Sequence, residues 1–359
     1  MTSATPQRIL ITRLSAIGDC VQTMPLACAL RDLYPQAYIA WVVERAAAPL
    51  VATLVELSRV IVVPKNVLHS PRAVWTLRRE LRAERFDLAL DPQSLLKSAA
   101  LAWLSGAKRR IGFAPPVGRE IAPWLNGERV RSRAVHRIDR YLELLQPLGV
   151  QTPPLRFGLQ ISPAAAAFAA EAATDARLRN GYAILNQGAG WDSRLWPTER
   201  FAQVARQLAA WGIGSLITWG GRRERVWAEE VVNGSGGAAV LAPPTSLVEL
   251  AALISRARLF VGADTGPMHL AAALGTPSIG LFGTTRCEET GPRGPGHILL
   301  QAAYDDSGDR KRPGADNWAM RRITADMAIA ACRQILDRGS LPANESGGTA
   351  SSAVRDRAA

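Results

Sequence analysis

The strongest constraint on the fold is an alternation of short apolar runs with helical segments, which occurs twice along the 359-residue chain. The first series predicts strands at residues 9–13, 37–43 and 88–90 and helices at 20–33 and 71–84. The second predicts a helix at about 163–178 and then strands at 182–185, 215–219 and 259–261, with helices at 199–210, 247–254 and 266–274. Such alternation favours parallel sheets with helices on both faces.

Two domains follow from the length, because a single hydrophobic core stops growing at about 250–300 residues. A proline-rich segment at 151–163 separates the two series and is predicted to be the linker. We therefore expect an N-terminal Rossmann-like domain over 1–160 and a C-terminal one over 161–338. The Ser-, Gly- and Ala-rich residues 339–359 are predicted to be a disordered tail.

The net charge of +12 favours an anionic partner, which could be a nucleic acid, an anionic lipid or an acidic glycolipid. A merely solvated basic surface is the alternative. No ladder of aromatic residues accompanies the basic groups, so no nucleic acid is expected.

No apolar run reaches about 18 residues and no signal peptide is recognisable, which predicts a cytoplasmic protein without a membrane span. The four cysteines lack metal-ligand spacing and are expected to be free thiols.

Three loops that follow predicted strands carry candidate chemistry. Asp264, Thr265 and Gly266 begin a helix, whose free N–H groups can bind a phosphate, and His269 lies one turn later. An ordinary helix cap is the alternative there. In the loop at 187–197, Arg194 could neutralise a diphosphate, although a flexible loop with a surface arginine is equally compatible.

The first loop, at residues 15–19, places Asp19 where a helix starts, so its carboxylate could act as a general base or simply cap the helix. The segment is neither a GxGxxG fingerprint nor a P-loop. Basic residues of the first half could grip an acidic acceptor: Arg78, Arg79, Arg82, Lys97, Lys108, Arg109, Arg110 and Arg119. For the first three, a solvated helix face is favoured.

Several segments together resemble one family. In the first half they are SAIGDCVQTMP at 15–25, DPQSLLKSAALAWLSGAKRRIGF at 91–113, GRE at 118–120 and AVHRIDR at 134–140. In the second half they are RLWP at 194–197, WGG at 219–221 and ADTGPMHLAAALGTP at 263–277. This order resembles the inverting glycosyltransferases that transfer heptose from ADP-heptose to lipopolysaccharide, over about residues 8–300.

The resemblance implies a GT-B fold, in which two doubly wound Rossmann-like domains face a central cleft. It implies Asp19 as catalytic base. It implies donor binding by Gln187, Arg194, Glu224, Asp264, Thr265, Gly266 and His269, and acceptor binding by Lys97, Arg119 and Glu120.

The implied reaction transfers heptose from ADP-heptose to the Kdo region of lipid A at the cytoplasmic face of the inner membrane, by a peripherally bound enzyme. No metal site and no required cofactor are expected, and a divalent metal would at most stimulate. Another nucleotide sugar, or a non-catalytic nucleotide-sugar-binding protein, are the alternatives. Three departures stand out: Arg194 replaces a lysine, Ser94 replaces a glycine, and residues 304–318 form an insertion without a counterpart.

Overall fold

The computed structural model describes residues 6–294 and 296–339, and its first half is built on a six-stranded parallel sheet. The strands are β1 (Arg8–Thr12), β2 (Tyr38–Glu44), β3 (Arg59–Val63), β4 (Leu88–Leu90), β5 (Arg109–Phe113) and β6 (Glu128–Val130). The helices are α1 (Ile17–Leu33), α2 (Ala48–Val51), α3 (Pro71–Ala83), α4 (Leu96–Leu104), α5 (Ala122–Leu125) and α6 (Arg137–Leu142). Strands β1, β2 and β4 have almost only buried side chains, as expected of strands covered on both faces.

The second half repeats this plan with a second six-stranded parallel sheet. Its strands are β7 (Tyr182–Asn186), β8 (Gly214–Thr218), β9 (Ala239–Leu241), β10 (Leu259–Ala263), β11 (Ser278–Leu281) and β12 (Ile298–Leu300). Its helices are α7 (Pro163–Ala172), α8 (Thr198–Ala210), α9 (Arg222–Gly234), α10 (Leu247–Ser255), α11 (Gly266–Ala273), α12 (Cys287–Thr290), α13 (Trp318–Arg321) and α14 (Ala325–Gly339).

The two sheets share one strand order, which determines where a ligand can bind. The first runs β3-β2-β1-β4-β5-β6 and the second β12-β11-β10-β7-β8-β9. In each sheet the order reverses between two central strands, β1 and β4 or β10 and β7. Beyond the carboxyl ends of such a pair lies a crevice in which doubly wound proteins bind ligands. The predicted α/β fold of the GT-B type, with two doubly wound halves, is confirmed.

The interface between the halves has an apolar core, and the N-termini of α1 and α11 lie against each other. One core cluster contains buried side chains from both halves, among them Met24 of α1 and Met268 of α11. The predicted linker has neither helix nor strand over residues 153–162. Within it, Arg156 forms ion pairs with Asp32 and Glu56 of the first half.

In the described part of the chain, no helix is both long enough and apolar enough to span a bilayer. The predicted tail, apart from Gly339, lies outside the described residues.

Candidate active site

A cavity of 680 Å³ opens at the carboxyl end of the first sheet, beside the second half. The loop after β1 contributes Arg13, Ser15 and Ala16, and the loop after β4 contributes Pro92 and Gln93. The Gln93 side-chain oxygen accepts a hydrogen bond of 2.8 Å from the Leu14 amide, which ties the two loops together. The cavity thus lies at the point where the strand order reverses.

Asp19 lies on the cavity wall in the first turn of α1, where two arginines hold its carboxylate. Arg13 is 2.7 Å from Oδ2, and Arg137 of α6 donates to Oδ1 at 2.9 Å. Oδ2 also accepts the Ala16 amide at 3.3 Å, so Asp19 caps the helix as well as facing the cavity. Burial raises the pKa of Asp19, but the charges of Arg13 and Arg137 outweigh it and hold that pKa below its usual value. The carboxylate is therefore ionised at neutral pH.

The start of α1 touches the start of α11, which brings the two halves together next to Asp19. A Cβ added to Gly18 would lie 2.6 Å from Cδ2 of His269 and 3.4 Å from Cα of Gly266. A side chain at Gly18 would therefore force His269 to move, and one at Gly266 would lie in a tight contact with Ile17, 3.2 Å from its Cγ2. Asp19 is therefore one residue away from direct contact with the predicted phosphate-binding helix of the other half.

Asp264 is the centre of a buried network at the start of α11. Its Oδ1 is 3.1 Å from His269 Nε2, and its Oδ2 accepts a hydrogen bond of 2.7 Å from Thr285. Arg194 donates to the Asp264 main-chain oxygen at 2.7 Å. Burial raises the pKa of Asp264, but its hydrogen bond and charge interaction with His269, and the charge of Arg194, outweigh this and place the pKa far below its usual value. Asp264 is therefore a permanent anion that orients a histidine and an arginine.

Thr265 precedes α11 without capping it, since its hydroxyl donates to the Ala263 main-chain oxygen at 3.2 Å. The first amides of α11 consequently have no side-chain cap, which leaves them available to an anion. Arg194 lies nearby, with its guanidinium carbon 4.2 Å from the centre of the Trp191 ring.

Gln187 and Glu224 form a second cluster of the predicted donor site, after β7 and β8. The Gln187 side chain donates to the Glu224 main-chain oxygen at 2.9 Å, and the Glu224 carboxylate accepts the Gly220 amide at 2.7 Å. A Cβ on Gly188 would lie 2.4 Å from the Glu224 carboxyl carbon. Burial raises the pKa of Glu224. The carboxyl group thus lies under a glycine loop that a ligand can approach closely.

Residues 304–318, the predicted insertion, pack on the loop that carries Arg194. Ser193 donates to the Arg310 main-chain oxygen at 2.5 Å, and the Gly314 amide donates to Asp192 at 2.6 Å. This places Lys311 on the cavity wall with Asp19, and its Nζ lies 4.9 Å from the Trp191 ring centre. The insertion therefore brings a cation from the second half into the cavity of the first.

Of the three predicted acceptor-binding residues, the structure brings only Arg119 to the cavity wall. Lys97 lies 2.6 Å from Glu44 and forms an ion pair with it. The Glu120 carboxylate accepts the Leu96 amide at 2.7 Å, at the start of α4. Both side chains already have protein partners, so their predicted contact with an acceptor stays a prediction.

Sequence reasoning missed Arg13, Arg137, Arg140 and Tyr141, all of which line the cavity. The Tyr141 hydroxyl is 3.5 Å from Asp19 Oδ1. The segment at 134–140 contained a signal for two of them, because it belongs to the resemblance although no role was assigned within it. Arg13 had no such signal, since it reads as the polar end of a strand.

The structure explains how serine can replace the family's glycine at position 94. Its φ of +46° lies in the left-handed region that favours glycine. The hydroxyl compensates by donating to the Asp91 main-chain oxygen at 2.7 Å and accepting the Phe113 amide at 2.9 Å. The loop after β4 is thereby fixed without a glycine.

Among residues 6–294 and 296–339 there is no group of three or more His, Cys, Asp or Glu side chains that could hold a metal ion. The charged side chains around Asp19 and Asp264 are arginines and Lys311.

Comparison with known proteins decides which family this cleft belongs to. The model of glycosyltransferase family 9 (heptosyltransferase) matches residues 74–316. The chain belongs to glycosyltransferase family 9. This transferase is 30% identical to lipopolysaccharide heptosyltransferase 1 of Pseudomonas aeruginosa, with 83% of this chain and 84% of the relative covered. It is 29% identical to the Escherichia coli K12 enzyme of the same name, with 83% and 95% covered.

Solved structures agree with this assignment. The Escherichia coli heptosyltransferase WaaC with ADP-2-deoxy-2-fluoro heptose superposes on the transferase with a TM-score of 0.71, at 26% identity, covering 93% of this chain and 100% of that one. The family 9 glycosyl transferase of Veillonella parvula gives a TM-score of 0.81 at 24% identity, covering 92% and 98%, and supports the fold. The protein is thus a glycosyltransferase of the lipopolysaccharide heptosyltransferase type, as predicted.

Proposed function

We propose that this transferase moves a heptose from ADP-heptose to the Kdo region of the lipopolysaccharide inner core, with inversion at the anomeric carbon. The observation that carries the proposal is the contact of Gly18 with His269, which sets Asp19 beside the helix start that would hold the donor diphosphate. The names of the relatives and the nucleotide sugar bound to WaaC support the substrate class.

In the proposed step, an acceptor hydroxyl attacks the anomeric carbon while Asp19 takes its proton. The bond from that carbon to the diphosphate oxygen breaks, and ADP leaves with the electron pair. Asp19 is suited to this role because its carboxylate is ionised and lines the cavity where the acceptor would lie. General-base assistance contributes about 10²–10⁴-fold to such a step.

On the donor side, Arg194 and the uncapped start of α11 would meet the charge that develops on the leaving diphosphate. Asp264 would hold Arg194 and His269 in place, while Thr265 and Gly266 line the approach. Gln187 and Glu224, under the glycine loop, would contact the ribose. These fixed cations and amides can perform the task of a metal ion, so we propose that no metal or other cofactor is required.

On the acceptor side, the cavity presents Arg119, Arg137, Arg140 and Lys311. Guanidinium groups bind carboxylates and phosphates in bidentate fashion, which fits the acidic Kdo sugars and the phosphates of lipid A. Since that acceptor is a lipid, we propose that the enzyme acts at the cytoplasmic face of the inner membrane as a peripheral protein.

The deciding experiment incubates the protein with ADP-heptose and a heptose-free lipopolysaccharide acceptor and weighs the product. A mass increase of one heptose is expected. Thermal shifts with ADP, UDP and GDP should show the largest stabilisation with ADP, because ligands stabilise the state they bind. A product formed only from another nucleotide sugar, with the matching base giving the largest shift, would refute the proposed donor.

A further inference from the structure

Four large apolar side chains are exposed on the side of the first half that α4 and α5 form. The exposed fractions are 41% for Leu96, 51% for Trp103, 52% for Ile121 and 81% for Trp124. Exposed tryptophans are costly in water, and clusters of them mark interaction sites in soluble proteins. We call these four residues the tryptophan face.

Helix geometry and one hydrogen bond join the four side chains into one surface. Leu96 and Trp103 are seven residues apart on α4, so they project from the same side two turns apart. Ile121 and Trp124 are three residues apart at α5, so they also project from one side, one turn apart. Helix α5 packs against α4. The hydrogen bond from the Leu96 amide to Glu120 places Leu96 next to Ile121.

The surroundings of the tryptophan face are basic. The Arg129 guanidinium carbon is 5.9 Å from the Trp124 ring centre, and Arg110 donates to the Leu125 main-chain oxygen at 2.9 Å. Residues 64–131, which include the face, contain thirteen Lys and Arg against six Asp and Glu. Of the nearby acidic residues, Glu120 binds the Leu96 amide and Glu128 pairs with Arg109 at 2.7 Å. The face is therefore apolar with a cationic border.

The tryptophan face adjoins the mouth of the cavity. Leu95 and Arg119 line the cavity, and each lies one or two residues along the chain from Leu96 and Ile121 of the face. A molecule bound across the face would therefore end at the cavity that contains Asp19.

We propose that the tryptophan face docks this enzyme on an anionic lipid bilayer, with Trp103 and Trp124 inserted at the level of the headgroups. Tryptophan is enriched at that depth of a membrane, and each nearby Lys or Arg adds attraction to anionic lipids. A protein partner would also use tryptophan and arginine, but the cationic border and the position beside the acceptor cavity favour a lipid surface. The proposal rests on the proposed function in that the acceptor is a lipid.

The test is flotation of the full-length protein with two kinds of vesicle, one of phosphatidylethanolamine with phosphatidylglycerol and one of phosphatidylcholine alone. The wild type is expected to float with the anionic vesicles, and less at high salt. The Trp103→Gln/Trp124→Gln variant should lose at least about tenfold in partition coefficient. Trp318→Gln is the control, because that tryptophan is 39% exposed on α13 of the second half.

Equal flotation of the double variant and the wild type would overturn the proposal, and so would a wild type that binds neither vesicle. A wild-type dimer that the double substitution converts to a monomer would assign the face to self-association instead. Transfer to a lipid-free acceptor fragment separates this test from the reaction itself. The double variant should retain that activity, whereas a wild type without it would contradict the proposed function and not the docking face.

Discussion

Gly18 of the first half and His269 of the second are in contact, and a Cβ on Gly18 would lie 2.6 Å from the histidine Cδ2. The backbone of Gly18 is not in the left-handed region, so an alanine there would be opposed by lack of space and not by backbone conformation. The contact explains how a carboxylate of one half is positioned against the helix of the other half that is proposed to bind the donor diphosphate.

Gly18→Ala is therefore expected to displace His269 or separate the two helix starts. A displacement near 1 Å can lower the rate on the order of 10²-fold, while overpacking costs about 1–3 kcal/mol of stability. Steady-state transfer assays and thermal melting measure the two effects. Gly127→Ala is the control, since a Cβ there meets nothing within 4 Å. Full activity of Gly18→Ala would show that the contact is not needed.

Arg137 should set the acid side of the pH–rate profile through Asp19. Its positive charge is one of the causes that lower the pKa of Asp19, so removing it should raise that pKa. Because the base must be deprotonated, the acid limb of kcat/KM in Arg137→Gln should move to higher pH.

Arg140→Gln is the matched control, because Arg140 lines the same cavity but forms no ion pair with Asp19. This variant should bind acceptor less well with an unshifted acid limb. An Arg137→Gln profile that coincides with that of the wild type would mean that another group titrates.

Lys311 is expected to bind an acidic group of the acceptor, since the insertion places it on the cavity wall. A hydrogen bond to a charged group contributes about 1.5–3 kcal/mol, so Lys311→Gln should raise the acceptor KM roughly tenfold or more. The donor KM should change little. Arg312→Gln is the control, as its side chain is 74% exposed and pairs with Asp309. An increase in the donor KM alone would assign Lys311 to the donor phosphates.

His136 should make the contact between the halves sensitive to acid. Its Nε2 donates to the Gly291 main-chain oxygen at 2.8 Å, and its Nδ1 accepts the Ile138 amide at 3.2 Å, which requires the neutral ring. Burial lowers the pKa of His136 from 6.5 to about 4. A depressed pKa means that the unfolded chain binds the proton first, so stability is lost as pH falls from about 6.5 towards 4.

Thermal melting across that range should therefore show a shallower decline for His136→Gln than for the wild type. His69 is exposed, and His69→Gln should decline as steeply as the wild type. Parallel curves for all three proteins would remove His136 from this role.

Much of the fold could be predicted because the central strands are continuous apolar runs. Strand β5 was missed because it begins with two charged residues, Arg109 and Arg110. In the structure the Arg109 guanidinium donates to the Glu128 carboxylate and the Arg110 guanidinium to the Leu125 main-chain oxygen, so both residues fit a strand. Strand β6 was missed because two of its three residues, Glu128 and Arg129, are charged, and β12 was not predicted although its three residues are apolar. The predicted helix at 163–178 was too long, as α7 ends at Ala172.

The residues of the candidate site likewise include some that the sequence could predict and some that it could not. Residues on strand-to-helix loops, such as Asp19, Arg194 and Asp264, could be found because loops after parallel strands meet at one sheet edge. Arg137 reaches Asp19 from 118 residues away, through the packing of α6 against α1. No local pattern encodes a contact of that kind, and the place of Lys311 likewise depends on how the insertion folds back.

The most direct test of the account is the transfer rate of Asp19→Asn, measured with ADP-heptose and the heptose-free acceptor. Asparagine keeps the shape of the side chain, but its single oxygen can take the place of only one of the two carboxylate oxygens that Arg13 and Arg137 contact, and it cannot take a proton. An unchanged thermal shift with ADP would confirm that the donor half is intact. The account predicts a rate at least about 10²-fold below the wild type. Turnover close to the wild-type rate would contradict it.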